Sequence, residues 1–222
     1  MRYVLRIFGV TLILSGIALF FWQDIREMFT DRVNERVIEA YQDGGRDVEL
    51  NMLESFITGI DDSEHATSAE DMSTTENSTP PSELSVEHVA GILTIESAGI
   101  REPVFKGPVT EYNLKRGLSF VDETDHVDMQ NIPIAGHRVE GAGIRFNHLD
   151  RAVLGDEITF DTASGVRTYE ITEIFEVEPS QVEVLNQTEG APQQLTLITC
   201  EDYNPETLLF EKRLIVRAAI AE

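Results

Sequence analysis

Three spacings of apolar residues divide this chain. Ile7 to Trp22 (IFGVTLILSGIALFFW) is an apolar run without a charge. Counted from Tyr3, with Arg6 extending its stem, about 20 residues can cross a hydrocarbon layer roughly 30 Å thick. Residues 1–22 therefore read as a transmembrane anchor, with Trp22 at the far interface. From Gln23 to Tyr41 the period changes: Ile25, Phe29, Val33, Val37 and Tyr41 recur at every fourth position, with Met28 and Ile38 beside them. One apolar stripe predicts an amphipathic helix. Residues 23–60 thus read as a juxtamembrane stalk, lying along the membrane, packing against the apolar group Val48 to Ile60, or forming a self-association seam. Asp61 to Ser85 is rich in Ser, Thr, Asp and Glu and holds Pro80-Pro81, a composition that reads as a flexible acidic tether.

From Val86 to Glu222 the period shortens toward two. Gly91–Glu96, Ile132–Ala135, Glu157–Asp161, Arg167–Thr172, Gln194–Thr199 and Arg213–Ala218 read as strands. Ala163-Ser164-Gly165, between two alternating runs, is a hairpin signal. One helix is expected after Thr110, an acceptable N-cap, running to Arg116 and stopped by Gly117. Short strands with little helix predict a mainly β domain over 86–222, either a barrel or a sandwich. Neither a repeat nor a glycine-rich phosphate loop is present.

Charge adds location and excludes one class of partner. The formal net charge is −23, and between Tyr41 and Glu87 twelve Asp or Glu face a single Arg46. Such acidity argues against nucleic acid as a partner. Arg2 and Arg6 precede the apolar run, whereas Asp24, Glu27 and Asp31 mix with arginines after it. The positive-inside rule then places the N-terminus in the cytoplasm and the β domain outside the cell. A cleaved signal peptide is the competing reading, but Leu19-Phe20-Phe21-Trp22-Gln23 is too bulky for a small-x-small cleavage site.

Export makes Cys200, the only cysteine, informative. A lone thiol outside the cell cannot close an intramolecular disulfide, so it is either a buried small hydrophobe or a reagent. It ends the apolar run Leu195-Thr196-Leu197-Ile198-Thr199 and precedes Glu201-Asp202-Tyr203-Asn204, a place where side chains reach solvent and substrate. Of five histidines, only His137 ends a strand, in Ile134-Ala135-Gly136-His137-Arg138. A thiol nucleophile needs such a proton acceptor or a nearby cation. Arg213, thirteen residues after Cys200, opens a strand that would neighbour the cysteine's, where a guanidinium could hold a thiolate or an oxyanion. Taken singly, each has an ordinary structural alternative: a packed cysteine, a hydrogen-bonded histidine, a surface ion pair.

Taken together, IAGHR, LTLITC and DYNPETLLFEKR, with FKGPVT, LKRGLSF and QNIPIAGH in order before them, resemble the sortases, membrane-anchored cysteine transpeptidases of Gram-positive bacteria, and most closely their class A. The resemblance covers the chain from about Val89 onward. It implies a closed eight-stranded β-barrel with short helices. Cys200 would be the nucleophile, His137 the general acid/base and Arg213 the oxyanion-stabilising residue. The implied substrate is a secreted protein bearing Leu-Pro-x-Thr-Gly near its C-terminus, transferred through a thioester to an amine of a peptidoglycan precursor. Val109, Val121, Ala135, Val182, Val184, Leu185 and Ile198 would line the groove for the Leu-Pro portion. Barrel core is their alternative role.

The resemblance requires no cofactor but raises calcium activation, for which Asp122, Glu123, Asp125 and Asp128 supply hard oxygen donors, with Asp122, Asp125 and Asp128 the proposed ligands. Met129 and Gln187 stand where the family pattern has acids; Gln187 retains a carbonyl oxygen, Met129 does not. The alternatives are a specialised or pilin-joining sortase and a non-catalytic tethered barrel that binds peptide or wall. A papain-like hydrolase would place its Cys before its His, the reverse of the order here.

Overall fold

The computed structural model describes residues 2–45, 47–60, 82–138, 145–204, 207 and 209–221. Most of the expected tether, 61–81, lies outside them. The chain begins with α1 (Arg2–Phe20) and α2 (Trp22–Gln42), bent by 61° between Ile17 and Trp22. Ile7, Phe8, Leu12, Ile13 and Leu14 of α1 are exposed. Among the described residues no single helix is long and apolar enough to cross a membrane; the bent α1–α2 pair passes by length and composition together.

A short strand, β1 (Val48–Leu50), and a seven-residue helix, α3 (Met52–Thr58), follow. Asn51 caps α3 by accepting from the N–H groups of Leu53 and Glu54, while Glu54 reaches back to the Asn51 N–H. β2 (Ser82–Leu84) pairs antiparallel with β1, so the end expected of the tether is a strand.

Eight further strands close a barrel: β3 (Val89–Ile95), β4 (Ile100–Phe105), β5 (Leu118–Phe120), β6 (Asn131–Ala135), β7 (Glu157–Thr162), β8 (Gly165–Val177), β9 (Gln194–Asn204) and β10 (Leu209–Ile220). Their order around the barrel is β10-β8-β7-β3-β4-β5-β6-β9. The expected hairpin forms between β7 and β8, with Thr162 opposite Gly165 and Gly165 at φ +115°. The expected short helix is α4 (Glu111–Arg116), with the Thr110 hydroxyl accepting from the Asn113 N–H. Gly117 ends it for a different reason from the one expected. Its φ of 177° is ordinary extended backbone, but a Cβ there would lie 2.4 Å from the Pro103 carbonyl oxygen.

β3 explains what the stalk does. Successive strand residues face opposite sides: Leu93 enters the barrel core with Phe120, Phe160 and Leu197. Ile92 faces outward into a second apolar cluster with Val33, Val37 and Ile38 of α2, Leu50 of β1, and Val89 and Phe105. The second half of the stripe on α2, Val33, Val37, Ile38 and Tyr41, is therefore occupied within the chain, against the barrel wall and the apolar residues Val48, Leu50 and Ile60, whereas Met28 of its first half is exposed.

Candidate active site

The parallel pairing of β6 with β9 brings the end of β6 beside the middle of β9. Ala135 lies opposite Ile198, and the ladder runs one step further through a bond from the Gly136 N–H to the Ile198 carbonyl, 3.1 Å. The Thr199 hydroxyl donates to the Gly136 carbonyl at 2.9 Å. His137, just past the end of β6, is set beside Cys200 as a result; Cys200, expected at the end of its strand, sits inside β9, because pairing with β10 carries that strand on to Asn204. Gly136 is small because of the core: a Cβ would meet Leu118 at 2.5 Å and Phe146 at 2.6 Å. On the other side of β9, the antiparallel register with β10 sets Arg213 directly opposite Cys200.

The three side chains open into one cavity of about 310 Å³. Val109, Val121, Ala135, Val182, Val184, Leu185 and Ile198 line it with them; Val182–Leu185 form a single 3-10 turn. All seven residues expected in the groove are gathered there. Cys200 is half-buried and makes no disulfide. The Arg213 guanidinium donates to the carbonyls of Phe210 (3.4 Å) and Lys212 (3.0 Å), and among the described residues no carboxylate pairs with it. A larger cavity, about 620 Å³, opens near Tyr41, Val86 and Lys106 but contains none of the three.

His137 has a partner that the sequence reading missed. Its Nε2 lies 3.3 Å from Glu111 Oε2 at the start of α4. Burial holds the imidazole below its ordinary value, with Glu111 pulling the other way and the charges of Arg145 and Lys115 adding to the lowering. Glu111 carries no motif; its relevance comes from α4 packing beside the β6 exit. Also missed was a clasp one residue on from each reacting side chain. Arg138 pairs with Glu201 and, at 3.1 Å, with Asp150, tying the histidine's loop to the cysteine's strand.

The acids considered for calcium are not drawn to one point. Asp128 is ion-paired with Arg167 Nη2 at 2.5 Å. Asp122 accepts from the Thr124 N–H and hydroxyl, and Asp125 accepts from the Asp122 N–H at 2.7 Å. Gln187 exchanges two hydrogen bonds with the Asn131 backbone, so its carbonyl oxygen is engaged. Among the described residues no three His, Cys, Asp or Glu are arranged to hold a metal ion. The residues present do not fit the group, because a cation already neutralises Asp128 and Met129 offers no oxygen.

The family described as Sortase domain matches residues 93–221. The chain belongs to the sortase family. It is 44% identical over 128 residues to Sortase A of Staphylococcus aureus, covering 57% of this sortase and 62% of that protein. With Sortase A of Streptococcus agalactiae it shares 31% identity over 225 residues, covering 95% of this sortase and 82% of the relative. This sortase thus spans less than two thirds of the first relative's length and most of the second's. Among solved structures, sortase C1 of GBS pilus island 1 superimposes with a TM-score of 0.55 at 24% identity, over 61% of this chain and 66% of that one. That likeness extends to the barrel fold.

Proposed function

We propose that this protein is a class A sortase, a cysteine transpeptidase that joins secreted proteins to the cell wall. The observation that carries the reading is the single apolar cavity into which Cys200, His137 and Arg213 all open, with Arg213 across the strand pair from Cys200. The Cys200 thiolate attacks the Thr carbonyl of a Leu-Pro-x-Thr-Gly segment whose Leu-Pro portion lies among Val109, Val121, Ala135, Val182, Val184, Leu185 and Ile198. The Arg213 guanidinium, met among the described residues by backbone carbonyls, holds the oxyanion. The Thr–Gly C–N bond breaks, the His137 imidazolium gives its proton to the departing glycine amine, and a thioester remains. An amine of a peptidoglycan precursor attacks the thioester carbonyl and gives its proton to His137; the C–S bond breaks, releasing the amide and restoring the Cys200 thiolate and the His137 imidazolium.

The exposed apolar α1 and the arginines at its start favour attachment to the membrane with the N-terminus in the cytoplasm and the barrel outside. Mass spectrometry of the full chain in detergent, given a Leu-Pro-x-Thr-Gly peptide and a triglycine amine, tests the reading. A new Thr-to-Gly amide product, absent from Cys200→Ala, is the expected result. Neither thioester nor product, from peptides varied at each signal position, would sink it.

A further inference from the structure

A buried polar cluster sits behind His137 and has no part in the chemistry above. Arg145, Glu102 and Asn34 are 1%, 1% and 4% exposed. Glu102 Oε1 accepts from the Arg145 N–H at 2.8 Å, and its Oε2 accepts from Asn34 Nδ2 at 2.7 Å and from Arg145 Nη1. Asn34 Oδ1 accepts from Arg145 Nη1 at 2.9 Å. The other end of the guanidinium, Nη2, donates to the Lys115 carbonyl at 2.7 Å. Three elements meet on the turn that Arg145 opens: α2 through Asn34, β4 through Glu102 and α4 through Lys115.

Arg145 is also the one described non-glycine residue with a positive φ, +38°, a conformation that persists where the surroundings over-determine it. Its neighbour closes the circuit: the Phe146 N–H donates to the His137 carbonyl at 3.1 Å, and the Phe146 ring packs where a Gly136 Cβ would stand. α4, held at its C-terminal end by Arg145, carries Glu111 at its N-terminal end against His137.

We infer that Asn34 of the juxtamembrane helix is a positioning residue for His137. It acts through the Glu102–Arg145 pair, so that the helix leaving the membrane anchor is a working part of the catalytic domain and not a spacer. The kinetic half of this inference rests on the sortase reading; the placement of His137 does not. Without Asn34, Glu102 Oε2 and Arg145 Nη1 would each lose one hydrogen bond and keep only one another, in a core where such a loss is costly and leaves the pair less firmly fixed.

The test compares two full-chain variants in detergent. Asn34→Leu keeps the volume and removes both hydrogen bonds; Val33→Ala, one residue away in the apolar cluster, loosens the same helix without touching the pair. The first readout is the NMR titration of His137, which needs no activity. The groups bearing on that ring are Glu111 and Lys115 from α4, Arg145 behind it, and Cys200 and Arg213 across the cavity. Since burial and Arg145 both lower its midpoint, loosening them moves it up, by a few tenths of a pH unit in Asn34→Leu and not in Val33→Ala. The second readout is kcat, expected to fall about tenfold in Asn34→Leu with KM nearly unchanged, as for a misplaced catalytic group. Equal midpoints and equal kcat in the two variants would overturn the inference. An inactive wild type whose His137 midpoint still responds to Asn34→Leu would overturn the transpeptidase reading instead.

Discussion

Two arginines of this barrel carry the same charge and do opposite things with it. Arg145 is 1% exposed, and its guanidinium is taken up by Glu102, Asn34 and the Lys115 carbonyl. Arg213 faces the groove beside Cys200 and is met by backbone carbonyls alone among the described residues. Carbonyls orient a guanidinium without neutralising it, so Arg213 keeps its charge for an anion that arrives with the reaction. Arg145 is paired in place by Glu102 and serves chiefly to fix geometry. Where a cation's counter-charge sits thus separates a structural arginine from one poised for catalysis, in a chain with enough carboxylates to neutralise both.

Breaking the buried pair should give the largest effect. Glu102→Ala leaves Arg145 charged and unpaired in the core, which typically costs about 3–5 kcal/mol. Denaturant unfolding of the full chain should show that loss, and a change below about 1 kcal/mol would mean that water reaches the pair. Arg213→Ala should do the reverse: kcat/KM falls by about 10²–10³ while the unfolding midpoint stays put. A similar loss in Arg213→Lys would show that the planar fork, beyond its charge, is needed.

Asp31, on α2 beside the buried pair, sharpens the contrast at smaller scale. Burial, together with the charges of Glu102 and Glu27, pushes its carboxyl up to about 6. A carboxyl raised in the folded state binds its proton more tightly there than in the unfolded chain. Its unfavourable contribution is therefore absent below about pH 4, grows as pH rises through about 6, and is complete at neutral pH. Asp31→Asn should stabilise the chain at pH 7 by about 1 kcal/mol, allowing for its half-exposed position, and have no effect at pH 4. A gain of equal size at both pH values would reject burial and charge as the cause.

The parts of this structure that were legible in the sequence follow local rules. Alternation marked β7, turn chemistry marked its hairpin, and a Thr cap marked α4. Cys200, His137 and Arg213 stood out jointly through the ordered motifs that resemble the sortases, although Cys200 and Arg213 lie inside their strands and not at their ends; the cavity they share with seven apolar residues follows from strand register. β4 was not legible, because Glu102 and Pro103 interrupt its apolar pattern and the burial of Glu102 depends on Arg145, far along the chain. Asn34 and Glu111 failed for the same reason: an ordinary polar residue on a helix acquires its role from what the barrel places opposite it. The calcium expectation came from the resemblance, which does not register that Arg167 reaches Asp128 first in this chain.

Glu111 is the mildest test of how charge is deployed around the groove. It is largely exposed, and its 3.3 Å contact with His137 Nε2 is a surface-type ion pair that gains its interest from the ring it touches. Burial lowers the imidazole while Glu111 opposes the lowering, so Glu111→Gln should move the His137 midpoint further down. The fraction of imidazolium available to protonate the departing amine then shrinks at neutral pH, and the limb of kcat/KM that belongs to His137 moves to lower pH by the same amount. Solvent screening limits the shift to a few tenths of a unit, and added salt should erase it in the wild type by weakening the pair. A midpoint that is unchanged in Glu111→Gln, at low and high salt alike, would mean that burial and the cations behind the ring set His137 by themselves. The contact with Glu111 would then orient the ring without tuning it.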